Sequence, residues 1–112
     1  MAGKFEIQKS ASDSFRFNLK AGNNQTILSS ETYETKAEAR NGAESVKRNA
    51  ADDNSYERKT SSNNQFYFVL RAANRETIGT SETYTSEAAM ESGIASVKSN
   101  APQAEIVDAT GA

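Results

Sequence analysis

The chain has 112 residues, with 13 Lys and Arg against 15 Asp and Glu for a formal net charge of −2. That length suits one domain, and that balance gives no electrostatic drive toward nucleic acid. It holds no cysteine and no histidine, which removes disulfides, thiolate nucleophiles, the usual transition-metal ligands and the most common general base.

Leu, Ile, Val and Phe together number only 17. With a net charge near zero and regular apolar spacing, this predicts a folded domain with a thin core under a very polar surface. No stretch reaches the roughly 20 apolar residues of a membrane span. Met1-Ala-Gly-Lys-Phe5 lacks the basic start and apolar run of a signal peptide. A cytoplasmic protein without a membrane partner is therefore expected.

Lys4–Lys9 alternates apolar Phe5 and Ile7 with polar neighbours, as a half-buried strand does. Ser10–Ser14 has turn chemistry. In the next strand Phe15, Phe17 and Leu19 alternate with Arg16, Asn18 and Lys20, placing aromatic residues inward and long polar ones outward. Gly22-Asn-Asn24 reads as a turn, and Thr26–Ser29 as a short third strand, so three strands form an antiparallel meander. A helix follows. Thr35 and Glu38 have the spacing of a capping box, and Ala39, Gly42, Ala43, Val46 and Ala50 share one helical face. Asn49 is placed to end that helix.

The order then repeats. Phe15-Arg-Phe-Asn-Leu19 returns as Phe66-Tyr-Phe-Val-Leu70, Ser30-Glu-Thr-Tyr33 as Ser81-Glu-Thr-Tyr84, and Gly42 through Lys47 as Gly93 through Lys98, at a constant offset of 51. About 20 of 47 aligned positions are identical without a gap, the mark of tandem duplication. Repeat one is expected over residues 4–54 and repeat two over 55–112 of a single domain. Tyr56–Thr60 is a weak strand, whose Arg58 stands where repeat one has Ile7. Ser86 caps the second helix with Glu87 in its first turn, and Met90, Gly93, Ile94, Val97 and Ala101 repeat the apolar face. Asn100 and Pro102 end that helix. Residues 104–110 form a closing strand that corresponds to Tyr56–Thr60. The expected fold is α+β: one antiparallel sheet with two helices on one face. A unit of roughly 50 residues buries too little surface to stand alone, so the two repeats are expected to merge their cores into a monomeric pseudo-dimer.

Most repeated polar residues have a structural explanation. Mid-helix Gly42 and Gly93 cost roughly 0.5–1 kcal/mol each relative to alanine, which implies close approach of the helix to the sheet or to its twin. Lys47 and Lys98 read as solvated. Ser-Glu-Thr-Tyr joins the third strand to the helix, where Ser and Thr can bond local backbone and Tyr can pack over the helix start with its hydroxyl in solvent. Two candidate surfaces emerge. At the two corners Glu31 with Tyr33, and Glu82 with Tyr84, could present a carboxylate and a phenol to a small polar ligand. On the sheet face away from the helices, Arg16 and Lys20 with Tyr67 and Arg71 could hold an acidic partner or a single nucleic-acid strand.

The strand Phe-x-Phe-x-Leu, the turn Ala-x-Asn, the Ser-Glu-x-Tyr corner and the helix Gly-x-x-Ser-Val-Lys-x-Asn-Ala, present in both copies from Lys4 to Thr110, resemble the YegP-like family of small bacterial proteins of unknown function. The resemblance implies tandem βββα-β motifs building a single sheet, with the last strand of each motif swapped into the other. It supplies no catalytic residues. The favoured reading is a non-catalytic binding or interaction module that needs no cofactor or metal. The alternatives are an enzyme using Glu31, Glu82, Tyr33 and Tyr84, weakened by the missing His and Cys, and a weak single-strand binder, weakened by the acidic balance.

Overall fold

The computed structural model describes residues 3–10, 13–23 and 25–110. Ala11 and Ser12 of the first expected turn and Asn24 of the second lie outside these residues. Among the described residues there are seven strands: β1 (Lys4–Lys9), β2 (Phe15–Lys20), β3 (Thr26–Ser30), β4 (Tyr56–Thr60), β5 (Phe66–Arg71), β6 (Thr77–Thr80) and β7 (Glu105–Asp108). Two helices, α1 (Lys36–Asn49) and α2 (Glu87–Asn100), follow β3 and β6. The strands make one sheet in the order β4-β5-β6-β3-β2-β1-β7. The repeats meet where β3 pairs antiparallel with β6, Ser29 opposite Thr80.

Each element forms for a local reason. In α1 the Thr35 hydroxyl accepts from the Glu38 amide at 3.1 Å while the Glu38 carboxylate accepts from the Thr35 amide at 3.2 Å, which completes the capping box. Ser86 accepts from the Ala89 amide at 3.1 Å to start α2. Asn49 and Asn100 each donate to the carbonyl four residues back, at 2.8 Å, so each Asn side chain folds back onto the last turn of its helix. Both β2–β3 and β5–β6 carry a bulge that skips Ile27 and Ile78. Both isoleucines are thereby buried next to the residue that follows them.

One continuous core lies between the sheet and the two helices, and it draws on both repeats. Phe5, Phe17, Leu19 and Leu28 meet Ala39, Ala43 and Val46, while Phe68 and Leu70 meet Met90, Ile94 and Val97. Phe5 and Phe17 pack edge to face at 5.7 Å, and their counterparts Tyr56 and Phe68 do the same at 5.7 Å. At the seam, Gly79 stands where repeat one has Leu28. A Cβ on Gly79 would come within 2.8 Å of Leu28 Cγ, so one repeat supplies the side chain and the other the space.

Two expectations need correction. The sheet is mixed rather than antiparallel, because β7 runs parallel to β1, with Phe5 beside Ile106. β4 pairs directly with β5, but β1 already holds the equivalent place beside β2. β7 therefore finds only the outer edge of β1. This also explains Ile7 and Arg58: Ile7 is fully buried on an internal strand, whereas Arg58 lies on edge strand β4 and reaches Glu91 of α2 at 2.5 Å and Asp53 at 3.2 Å. Second, Lys47 and Lys98 are not merely solvated. Lys47 donates to the Ala104 carbonyl at 3.0 Å and Lys98 to Asp53 at 2.9 Å. Residues 53 and 104 are equivalent, so each helix ties down the segment that follows the other helix. Lys36 of α1 likewise holds Asp108 of β7 at 2.8 Å. Each strand that closes a motif is thus pinned to the helix of the other motif, as a swapped arrangement requires.

Candidate functional site

The Ser-Glu-Thr-Tyr corners are built the same way in both repeats. Ser30 Oγ accepts from the Phe17 amide at 2.8 Å and donates to the Glu31 carbonyl at 2.7 Å. Ser81 does the same for Phe68 and Glu82, at 2.9 and 2.7 Å. The hydroxyl replaces a missing rung of the sheet. Three residues after each serine, Tyr33 and Phe15 exchange backbone hydrogen bonds at 2.6 and 2.7 Å, and Tyr84 and Phe66 exchange theirs at 2.7 and 2.8 Å.

This bridge turns the tyrosine ring beneath the helix. Tyr33 stacks on Phe17 at 6.3 Å, and its hydroxyl lies 2.5 Å from where a Cβ on Gly42 would sit. Tyr84 lies against Gly93 in the same way. The close approach expected at the two mid-helix glycines is therefore made by the repeat's own tyrosine, and the phenol sits over the middle of the helix rather than at its start. Burial raises the pKa of both phenols, Glu31, Glu76 and Glu38 raise that of Tyr33 further, and Glu82 adds to that of Tyr84. Both tyrosines are half-buried, while Glu31 and Glu82 are exposed.

Tyr33 forms one wall of a groove between α1 and the turn joining β5 to β6. A concavity of about 290 Å³ is lined by Tyr33, Glu38, Gly42, Ser45, Glu76 and Ile78, among others. A second, of about 490 Å³, continues past Ser45 and Asn74 to Arg48 and Asn49. The rim is charged and the floor is small and apolar. In the wall, Asn74 accepts from the Glu76 amide and donates to Glu76 Oε1, both at 3.1 Å, which stiffens the turn.

Sequence reasoning found Tyr33 but missed its groove partners. Agreement between repeats selects residues the fold needs in both copies, whereas the groove charges are where the copies differ: Glu38, Arg48 and Glu76 correspond to Ala89, Ser99 and Gln25. Charge differences between repeats were the available signal. Glu31 is not among the groove-lining residues, although its charge is felt at the Tyr33 phenol.

The four sheet-face residues lie on the open face of the sheet but do not converge. Lys20 is paired with Glu6 at 3.2 Å, and Glu6 also holds Lys4 at 3.2 Å. Lys4 and Lys20 stand directly opposite each other, so Glu6 relieves their repulsion. Burial works against the Glu6 charge, but the two lysines outweigh it and hold the carboxyl below its usual range. Arg71 pairs with Glu57 at 2.6 Å, the equivalent carboxylate. Arg16 is exposed opposite Gln8, and Tyr67 is half-buried opposite Lys59. With Lys20 and Arg71 compensated, this face is weakly suited to an acidic partner. Among the described residues no acidic cluster could hold a metal ion, and no helix is long and apolar enough to cross a membrane.

The fold and corners define a class: a tandem-repeat α+β protein in which each repeat lends its closing strand to the other's layer. Residues 10–57 and again 61–108 match the family described as Domain of unknown function (DUF1508). The chain belongs to that family. It is 51% identical over 108 residues to a UPF0339 protein encoded in the ptx operon 5′ region of Stutzerimonas stutzeri, covering 96% of this chain and 97% of the relative. It is 49% identical over 110 residues to the UPF0339 protein YegP of Escherichia coli K12, covering 98% and 100%. The solution NMR structure of E. coli yegP, described as a protein of unknown function, superposes with a TM-score of 0.93 at 49% identity, covering 100% of this chain and 97% of the other. A UPF0339 protein from Shewanella oneidensis gives a TM-score of 0.92 at 45% identity, covering 98% and 93%.

Proposed function

We propose that the protein is a non-catalytic, cytoplasmic binding module, acting as a monomer, whose groove between α1 and the β5–β6 turn takes a small polar ligand. The observation that carries this reading is the half-buried Tyr33 phenol in the wall of a 290 Å³ concavity, facing Glu38 and Glu76 over an apolar floor. A few polar groups above small apolar residues suit orientation of a ligand. A phenol whose pKa is raised stays neutral at physiological pH, which suits it to donate a hydrogen bond and not to abstract a proton.

Thermal shift against a library of polar metabolites tests the reading. A ligand at about 100 times its dissociation constant adds about 2.7 kcal/mol of stability. Tyr33→Phe should keep the unliganded melting temperature within about 2 °C, as expected for a ΔΔG below about 0.5 kcal/mol, and should shrink the ligand-induced shift. A library in which no compound moves the melting temperature, or a shift untouched by Tyr33→Phe, would count against the groove. Retardation of single-stranded DNA at low salt would favour the nucleic-acid alternative instead.

A further inference from the structure

The charges along the groove are ordered. Tyr33, Glu38 and Glu76 gather at one end and Arg48 stands at the other. Glu38, Asn41, Ser45 and Arg48 recur every three or four residues, so they form one stripe of α1. Ten residues of helix separate Glu38 from Arg48, about 15 Å at 1.5 Å per residue. Glu38 uses Oε1 to accept from Thr35, and Glu76 uses Oε1 to accept from Asn74; among the described residues Oε2 of each accepts no hydrogen bond. The Ser45 hydroxyl accepts from Asn49 at 3.2 Å and, among the described residues, donates to no partner; it lies on the stripe one turn before Arg48.

We infer that the groove binds a linear zwitterion, a short peptide with free termini, its ammonium held by Glu38 and Glu76 and its carboxylate by Arg48. This rests on the groove being a ligand site, as proposed above. The fit is one of length and sign. An extended chain advances about 3.3–3.6 Å per residue, so about four residues span the distance between the charges. The paired carboxylates answer a positive amino terminus, and the guanidinium can take a carboxylate through two parallel hydrogen bonds. The central part of the peptide lies over Gly42, Ser45 and Ala72, where only small side chains crowd the floor. A diamine would satisfy one end and meet Arg48 with the wrong charge at the other.

Titration followed by amide chemical shifts, with tetraalanine as probe, tests this. Saturable shifts are expected along residues 38–48 and 72–77. Acetylating the amino terminus or amidating the carboxyl terminus should each weaken binding about tenfold, equivalent to about 1.4 kcal/mol, since each removes one of the two charges the groove is matched to. Glu76→Gln should weaken tetraalanine but leave the acetylated peptide unaffected, and Arg48→Gln should weaken tetraalanine but leave the amidated peptide unaffected. Both positions are exposed, and an unchanged melting temperature confirms that the variants fold. Equal binding of free and blocked peptides, tighter binding of 1,4-diaminobutane than of tetraalanine, or no shift with tetraalanine would each overturn the zwitterion assignment. If tetraalanine fails while Tyr33-dependent library compounds still bind, only this inference falls; if neither binds, the groove reading falls with it.

Discussion

Gly42 and Gly93 show how a residue that weakens its own element can be required by its neighbours. Glycine in a helix interior costs roughly 0.5–1 kcal/mol relative to alanine. Here the missing Cβ admits a tyrosine ring that stacks on the sheet. Gly93→Leu should destabilise the protein by about 1–3 kcal/mol through overpacking against Tyr84 and Phe68, read as a lower melting temperature together with an altered near-UV tyrosine signal. A variant as stable as the parent would mean that Tyr84 can leave its site without cost. The glycine was legible in sequence as a sign of close approach. Its partner was not, because Tyr84 reaches Gly93 only once the Phe66 bridge has turned the chain.

The elements owe their arrangement to a mismatch between nearly equal repeats. β3 and β6 meet at the centre of the sheet, where Leu28 fills the volume left by Gly79. Two leucines would collide there, and two glycines would leave a void. Leu28→Gly should cost about 2–5 kcal/mol as a cavity, and Gly79→Leu about 1–3 kcal/mol as overpacking. The double variant, which exchanges the two roles, should lose less than the sum of the single losses, as expected for residues in contact. Chemical denaturation of the four proteins measures this coupling, and strict additivity would show that the seam does not act as a unit. The same mismatch governs the edges. β4 carries Glu57, Arg58 and Lys59, all charged, on an open edge, which discourages pairing with a second sheet.

At the scale of the molecule, stability should depend on pH at two flanks with a plateau between them. Lys36 and Thr110 hold Asp108 well below the usual carboxylate range, Lys98 and Arg58 do so for Asp53, Arg71 for Glu57, and Arg58 for Glu91. For each group the unfolded state binds more protons in acid, so the stabilisation is complete above the unfolded pKa values of about 4 and declines as pH falls through the lowered folded values. Burial raises Tyr33, Tyr56 and Tyr84. Their neutral forms are favoured in the fold, so stability is complete below the unfolded value of about 10 and declines as pH rises through the folded values. With no histidine in the chain, the melting temperature should be nearly flat from about pH 5.5 to 9. A transition near pH 6.5 would contradict this assignment.

The strands with alternating Phe and the capped helices were determined by local pattern, because period-2 and period-3.6 spacing and cap chemistry act between residues close in the chain, and the 51-residue repeat was legible from matching the two halves of the sequence. Tertiary structure decided three things. It placed β7 parallel to β1, because β1 had already taken the place next to β2. It joined Lys47 to residue 104 and Lys98 to residue 53, crossing from one repeat to the other. It also set Glu38 and Arg48 of one repeat against Glu76 of the other across a groove. Each of these depends on which surface remains free after the two repeats have shared a core, and no run of neighbouring residues encodes that.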